Sequence, residues 1–361
     1  MTNRDSQQVL PLSLGTHKNH RIESPSKGTA SALRRFADLM HPAVPTEVFA
    51  SYWAFAVERQ KIFFRRYKGF DAPWTDDPIL AVHRFTNAYR VSDRVSQYML
   101  RHVQGNLAGS QEDIFFRTIL FKFFNRISTW DRLVAAFGEP RAAHFSPERY
   151  GQVLENAIRG GTRIYSAAYI MPSGGPRSGY RRKHNMHLNL LARMLADGLP
   201  SKIARARSMA NAFELLRSYP TIGDFLAYQY VTDLNYSQLT EFTEMEFVCA
   251  GPGALEGIAK CFRQLGGKDT EWIIRRTAEI QEEAFETLGL KFQNLWGRPL
   301  QLIDCQNLYC EIGKYARVRH PEYNGFTGRT RIKQKFVALS SPIAYILPSK
   351  WGLEVPPLTP S

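Results

Sequence analysis

The chain has 361 residues, 44% of them hydrophobic and 22% charged. That balance supports a packed core and excludes a disordered tail, a collagen-like rod or a disulfide miniprotein. No apolar run approaches the roughly 18 residues a membrane helix needs, and the N-terminal stretch has no apolar signal region. The four cysteines are too few for a disulfide framework, so a cytoplasmic protein without membrane contact is expected. Lys and Arg number 47 against 33 Asp and Glu, a net charge of +14. Such an excess draws polyanions by counterion release and makes nucleic acid the expected partner.

Residues 1–30 mix polar and basic side chains without an apolar period and read as a flexible arm. From Ser31 the pattern is helical. Pro45-Thr46-Glu47 starts a helix whose apolar positions run to Tyr67. Thr75-Asp76-Asp77-Pro78 caps the next one. Residues 111–127 place Ile114, Phe115, Ile119, Phe123 and Ile127 about one turn apart, a buried helix with a charged stripe. A Gly/Pro/Ser loop over 173–179 then leads into Arg177, Arg181, Arg182 and Lys183, a candidate phosphate-tracking element. Two helices are expected over 256–289, with Gly266-Gly267 as the stop between them. Only 163–170, 300–303 and 336–346 are candidates for strands. The tail beyond Pro348 is Pro-rich and reads as irregular. The expected architecture is all-α with few short strands: a polar arm over 1–30, a helical catalytic domain over 31–347, and a tail over 348–361.

Several chemistries are unsupported. No GxxxxGK[ST] phosphate loop, zinc-spaced cysteine set or GxSxG elbow is present. His184 and His187 share a helix face without a third ligand and read as a surface or DNA-facing pair. No metal and no cofactor are expected.

Two segments rise above background. Tyr219-Pro-Thr-Ile-Gly223-Asp-Phe-Leu-Ala-Tyr-Gln229 takes one apolar helix through a Pro/Gly turn into another. Such a hairpin offers backbone N–H groups at a helix N-terminus to a DNA phosphate, which makes Thr221, Ile222 and Gly223 candidate contacts. An ordinary corner between helices is the alternative, and Asp224 places an acid close to the phosphate position. The second segment runs from Leu300 to Tyr315 and delivers Asp304 to the start of a helix carrying Asn307, Glu311 and Lys314. An acid there is either an N-cap or a catalytic carboxylate. Glu244 and Glu246 compete for the catalytic role.

Taken in order, residues 45–345 resemble the α-glutamyl/putrescinyl thymine pyrophosphorylase family, a relative of the helix-hairpin-helix DNA glycosylases. The resemblance is carried by Pro73-Trp-Thr-Asp-Asp-Pro-Ile79, by Phe85-Thr-Asn87-Ala-Tyr-Arg90-Val-Ser-Asp93-Arg94 and by Phe121-Lys-Phe-Phe-Asn125. It continues through Ala168-Tyr169, the hairpin with Asp233-Leu-Asn-Tyr236, Gly251-Pro-Gly253-Ala and the stretch from Asp304 to Tyr315. The same helical unit accompanies hydroxymethyluridine DNA kinases, and bacterial relatives excise hypermodified pyrimidines from phage DNA.

The resemblance implies a two-lobed, helix-hairpin-helix glycosylase-like fold acting as a monomer on double-stranded DNA with modified bases. Its expected action is antiviral: flipping out a base such as glucosylated hydroxymethylcytosine and leaving an abasic site. Asp304 is the first-choice acid, ahead of Glu244 and Glu246. Asn87, Arg90, Asp93, Tyr169, Asp233, Asn307, Glu311 and Lys314 are expected to line or support the base pocket. Phe225 stands where bifunctional glycosylases carry a lysine, so a monofunctional enzyme is expected. The alternatives are a transferase acting on an activated hydroxymethyl base, and a DNA-binding module without catalysis.

Overall fold

The computed structural model describes residues 27–105, 109–173, 179–338 and 344–357. Helix α1 (Lys27–Leu39) begins slightly before the helical pattern was expected. A two-residue strand, β1 (Val44–Pro45), follows it. Thr46 then caps α2 (Glu47–Tyr67), its side chain accepting from the Val48 amide. Asp77 accepts from the Ile79 and Leu80 amides and starts α3 (Pro78–Val82), with Pro78 at the first turn as its missing N–H allows. After a 3₁₀ turn at Arg90–Ser92 come α4 (Arg94–Tyr98) and a π-helical turn at Met99–Gln104.

Helix α5 (Gln111–Phe124) stops short of the expected Ile127, because Asn125 takes the left-handed conformation, φ 47°, and closes it. The basic residues of the charged stripe do not all face solvent. Arg117 and Lys122 are buried. Helices α6 (Ile127–Phe137), α7 (Pro147–Arg159), α8 (Lys183–Ala196), α9 (Leu199–Ala204), α10 (Met209–Arg217) and α11 (Asp224–Asn235) follow. The His184/His187 pair on α8 is buried rather than surface-facing. His187 is fixed between the Tyr165 hydroxyl at 2.8 Å and the Pro172 carbonyl at 3.0 Å.

Three helices, not two, occupy the region after Gly251: α12 (Pro252–Cys261), α13 (Thr270–Glu279) and α14 (Gln281–Thr287). Between the first two, β2 (Phe262–Gln264) pairs antiparallel with β1, Pro45 opposite Phe262. Helix α15 (Leu302–Arg319) completes the order. None of the three expected strand segments is a strand among the described residues. Residues 300–303 run into α15, and Lys335, just before 336, makes an isolated bridge with His83.

The helices form two packed groups. In one, α15 lies against α2, α12 and α13. Its crossing with α12 is backbone to backbone: a Cβ on Gly257 would lie 1.9 Å from the Tyr309 carbonyl oxygen. Any larger residue there must push the two helices apart. In the other group, α5 packs on α8, α9 and α11. A continuous apolar core runs through both. The described part of the tail, to Pro357, and Ile346 just before it pack on the helices. Gln97 exchanges two hydrogen bonds with the Ile346 backbone, Trp351 meets Tyr236 edge-on, and Lys350 donates to Asn235 and the Thr240 carbonyl. Among the described residues, no helix is long and apolar enough to cross a membrane.

Candidate active site

The segment from Phe85 to Asp93 wedges between the two helix groups, and a cation on α2 sets its shape. Arg59 donates to the Thr86 carbonyl at 2.9 Å and to Asn87 Oδ1 at 3.0 Å. Asn87 closes the turn, its amide N–H donating to Asp93 Oδ1 at 3.0 Å and its side chain to the Ser92 carbonyl at 2.8 Å. Arg90 then reaches both groups. Its backbone N–H donates to Asp304 Oδ1 on α15 at 2.8 Å. Its guanidinium pairs with Asp233 on α11 at 2.6 Å and donates to Gln229 at 3.2 Å.

Asp233 has a second cation, Lys122 of α5, at 3.1 Å. Burial alone would raise its pKa, but Arg90 and then Lys122 reverse that and hold the carboxyl below its ordinary range. Lys122 also donates to Asn125 Oδ1 at 2.9 Å. Tyr169 covers this cluster. Its ring centroid is 4.3 Å from Lys122 Nζ and 5.9 Å from the Arg90 guanidinium carbon. Its other neighbour is Phe225, stacked at 5.8 Å and 5°. Tyr169 takes φ 54°, a conformation costly for a non-glycine residue and held here by the stacking and cation contacts. Burial pushes its phenol up to about 12.

Asp304 stands one turn inside α15 rather than at its cap. It forms a capping box with Gln301, whose amide donates to Asp304 Oδ2 at 3.0 Å. Both carboxylate oxygens thus accept backbone N–H groups. Burial nonetheless raises its pKa to about 7, against the lowering effect of those two bonds. Asp93 is raised to about 6, again by burial first. Glu244 is buried, raised by desolvation, and paired with Arg298 at 2.8 Å, whose guanidinium stacks 3.6 Å from the Trp351 ring. Glu246 is exposed and accepts from the Met209 amide at the start of α10, away from the Arg90 cluster's hydrogen bonds.

A cleft of about 530 Å³ opens next to this network and shares Phe85, Thr86 and Asn125 with it; Arg90, Tyr169, Asp233 and Asp304 do not line it. Its wall takes Arg84 to Thr86, Arg94 and Val95, Asn125 to Ser128, Asp131, Ser166 to Ala168, Lys314 and Gln334. Four cations, Arg84, Arg94, Arg126 and Lys314, therefore share it with one acid, Asp131, which is bonded to the Tyr98 hydroxyl. Glu311 lies directly behind: it accepts from the Thr86 amide at 3.1 Å and pairs with Lys314 at 2.6 Å, both of which line the cleft. Asn307, on the same helix, is half-buried and does not line the cleft.

Residues 46–325 match the family described as the helical domain of 5-hmdU DNA kinase. The chain belongs to that family. It is similar to the 5-hmdU DNA kinase of Bacillus phage SP10, 27% identical over 329 residues that cover 85% of this chain and 51% of the phage protein. The chain thus spans about half the length of that relative. No solved structure matches it. All but one of the residues lining the cleft, Gln334, lie inside the part matched to this helical-domain family.

The Pro/Gly turn joins α10 to α11. Thr221 takes φ 68°, Ile222 is buried, and Gly223 is the residue before α11, where a Cβ would meet nothing within 4 Å. Asp224, however, pairs with Arg217 at 3.3 Å and keeps an acid at that helix end. Arg181 and Arg182 are exposed, with Arg182 on Glu155 at 2.8 Å, and Lys183 is half-buried over the Tyr165 ring. Arg177 lies outside the described residues. Sequence reasoning missed Arg59, Lys122, Gln229 and Arg298, which carry the buried network. It also missed a three-ligand cluster, Glu47, His320 and Glu322, whose candidate atoms lie within 4.8 Å of one another. That cluster sits at the far end of α15, about 24 Å from Asp304 at 1.5 Å per residue.

Proposed function

We propose that this chain acts on a modified pyrimidine in DNA, drawing the nucleotide out of the stack into the basic cleft and hydrolysing its glycosidic bond. The observation that carries this reading is the cleft itself, four cations and one lining acid over a volume suited to one nucleotide. Extrusion costs a few kcal/mol and is required because the sugar carbon cannot be reached inside a duplex. The cations repay part of that cost on the flanking phosphates.

Of the buried acids, Glu311 touches the cleft wall through Thr86 and Lys314. We assign it a positioning role: through the Thr86 backbone and Lys314 it orders the wall that places water, and its charge favours the positive charge developing on the sugar. Asp304, with both oxygens on backbone amides, is a positioning residue that fixes Arg90 and through it Asp233. Of the two lysines near the site, Glu311 holds Lys314 at the cleft wall and Asp233 holds the ammonium of Lys122. The depressed pKa of Lys122, lowered by burial, does not free it as an amine nucleophile while its pair stands. A monofunctional reaction follows, and borohydride should trap no covalent adduct. Excision of hypermodified bases from phage DNA is the biological setting this chemistry fits.

The second reading is a transferase that displaces a leaving group from an activated hydroxymethyl base. The excess of cations in the cleft and the phage relative's name favour it. Mass spectrometry separates the readings when the DNA carries 5-hydroxymethylated, glucosylated and pyrophosphorylated hydroxymethyl pyrimidines and an amine is supplied as the incoming group. A released base with an abasic site supports the hydrolase, an amine-bearing base with free pyrophosphate supports the transferase, and unchanged DNA refutes both.

A further inference from the structure

Beyond the family match, the chain continues as Arg329-Thr-Arg331-Ile-Lys333-Gln-Lys335-Phe, with a cation at every second position. No Asp or Glu occurs between Glu322 and Glu354. The segment is tied to the cleft rim by a short antiparallel pairing: the Arg84 amide donates to the Gln334 carbonyl at 3.0 Å, and the Phe336 amide donates to the Val82 carbonyl at 3.0 Å. Arg317 holds it further back through the Arg331 carbonyl at 3.4 Å. The alternation has a structural counterpart. Ile332 is buried, Phe336 is half-buried against Trp74, and Gln334 lines the cleft. The four cations of opposite parity, Arg329, Arg331, Lys333 and Lys335, are all exposed. Among the described residues, none of the four is within ion-pair distance of a carboxylate.

We propose that this segment is a phosphate rail, binding the backbone of the DNA strand that enters the cleft. In an extended chain, residues two apart recur every ~6.6 Å on one face, a spacing on the scale of successive nucleotides. Side chains of alternate parity seat the rail on the protein body, so ordering the cations costs little on binding. The rail ends where Gln334 and Arg84 meet the cleft, so a strand lying on it is led to the basic wall formed by Arg84, Arg94 and Lys314. Contacts of this kind hold the register of the strand and carry no base information.

The inference rests on the reading that the chain acts on DNA, and the test separates the two. The full chain and the variant Arg329→Gln/Arg331→Gln/Lys333→Gln/Lys335→Gln are titrated with an unmodified fluorescent duplex across a range of salt concentrations. All four side chains are exposed, so thermal unfolding of the variant should match the parent. The double variant Arg329→Gln/Lys333→Gln serves as the milder perturbation. For the parent, log K falls steeply with log salt. The slope should become shallower by about 3–4 in the quadruple variant, and by about half that in the double one, at ~0.9 per phosphate contact. Affinity at low salt should fall at least tenfold, alike for every sequence. Parent-like slopes in both variants, with the parent binding DNA, overturn the rail and leave the DNA reading standing. A parent that binds no DNA overturns both.

Discussion

Asp233 and Asp304 are both buried and both bound to Arg90, yet their pKa values are driven in opposite directions. Around Asp233 the protein places two cations, and the carboxyl stays ionised despite its desolvation. Around Asp304 it places two backbone amides and, further off, the charge of Glu244, and burial wins. Depth alone therefore does not decide the charge of an acid in this core. What decides it is whether a formal positive charge or only a dipole is offered in return.

The largest expected effect breaks the first half of that contrast. Asp233→Asn leaves Arg90 and Lys122 buried without a counter-charge, and should cost about 3–5 kcal/mol of stability. Urea denaturation measures it. A loss under about 1 kcal/mol would show that water or another group already compensates those cations. Lys122→Met is the gentler partner. Asp233 keeps Arg90, so about 1–3 kcal/mol should be lost, the value of one charged hydrogen bond.

The second half is sharpened by pH. A carboxyl whose folded pKa is raised stabilises the protein below its unfolded value, and that contribution fades as pH rises through about 7. Asp304 should therefore make the parent less stable as pH climbs from about 4 to 7, a slope that Asp304→Asn lacks. The variant also loses part of its capping box, worth about 1–2 kcal/mol. It should be the less stable protein at pH 5, with the gap narrowing by pH 8. Parallel stability curves would mean that Asp304 is ionised in the folded state.

Much of the scaffold was legible in the sequence, because its signals are local. Thr46 and Asp77 cap the helices they precede, and the turn between α10 and α11 lies where the Pro/Gly pattern put it. Asn87, Arg90, Asp93 and Asp233 were also legible as motif residues, expected at or behind a base pocket. What the sequence hid is which partners meet. Lys122 read only as part of a charged stripe because its counter-ion stands on α11, remote in sequence. Arg59 and Arg298 lie in stretches without motif character, and only the packing of α2 and of the tail gives them partners. The Glu311 contact with the cleft wall depends equally on a loop remote in sequence.

The smallest expected effect on stability lies on the surface. Arg181→Glu with Arg182→Glu removes one exposed pair, Arg182 with Glu155, and should change stability by less than about 1 kcal/mol. Binding to all DNA sequences should nonetheless weaken alike, with a shallower salt dependence by anisotropy. Unchanged affinity would remove this loop from the interface.

Base extrusion into the cleft is tested most directly with a duplex carrying 2-aminopurine next to a 5-hydroxymethylated pyrimidine. Loss of stacking on binding should raise the 2-aminopurine fluorescence several-fold. Arg84→Gln/Arg126→Gln, which alters the cleft wall, should abolish that rise while leaving much of the anisotropy change. Full binding by the parent with no change in 2-aminopurine fluorescence would contradict extrusion into this cleft.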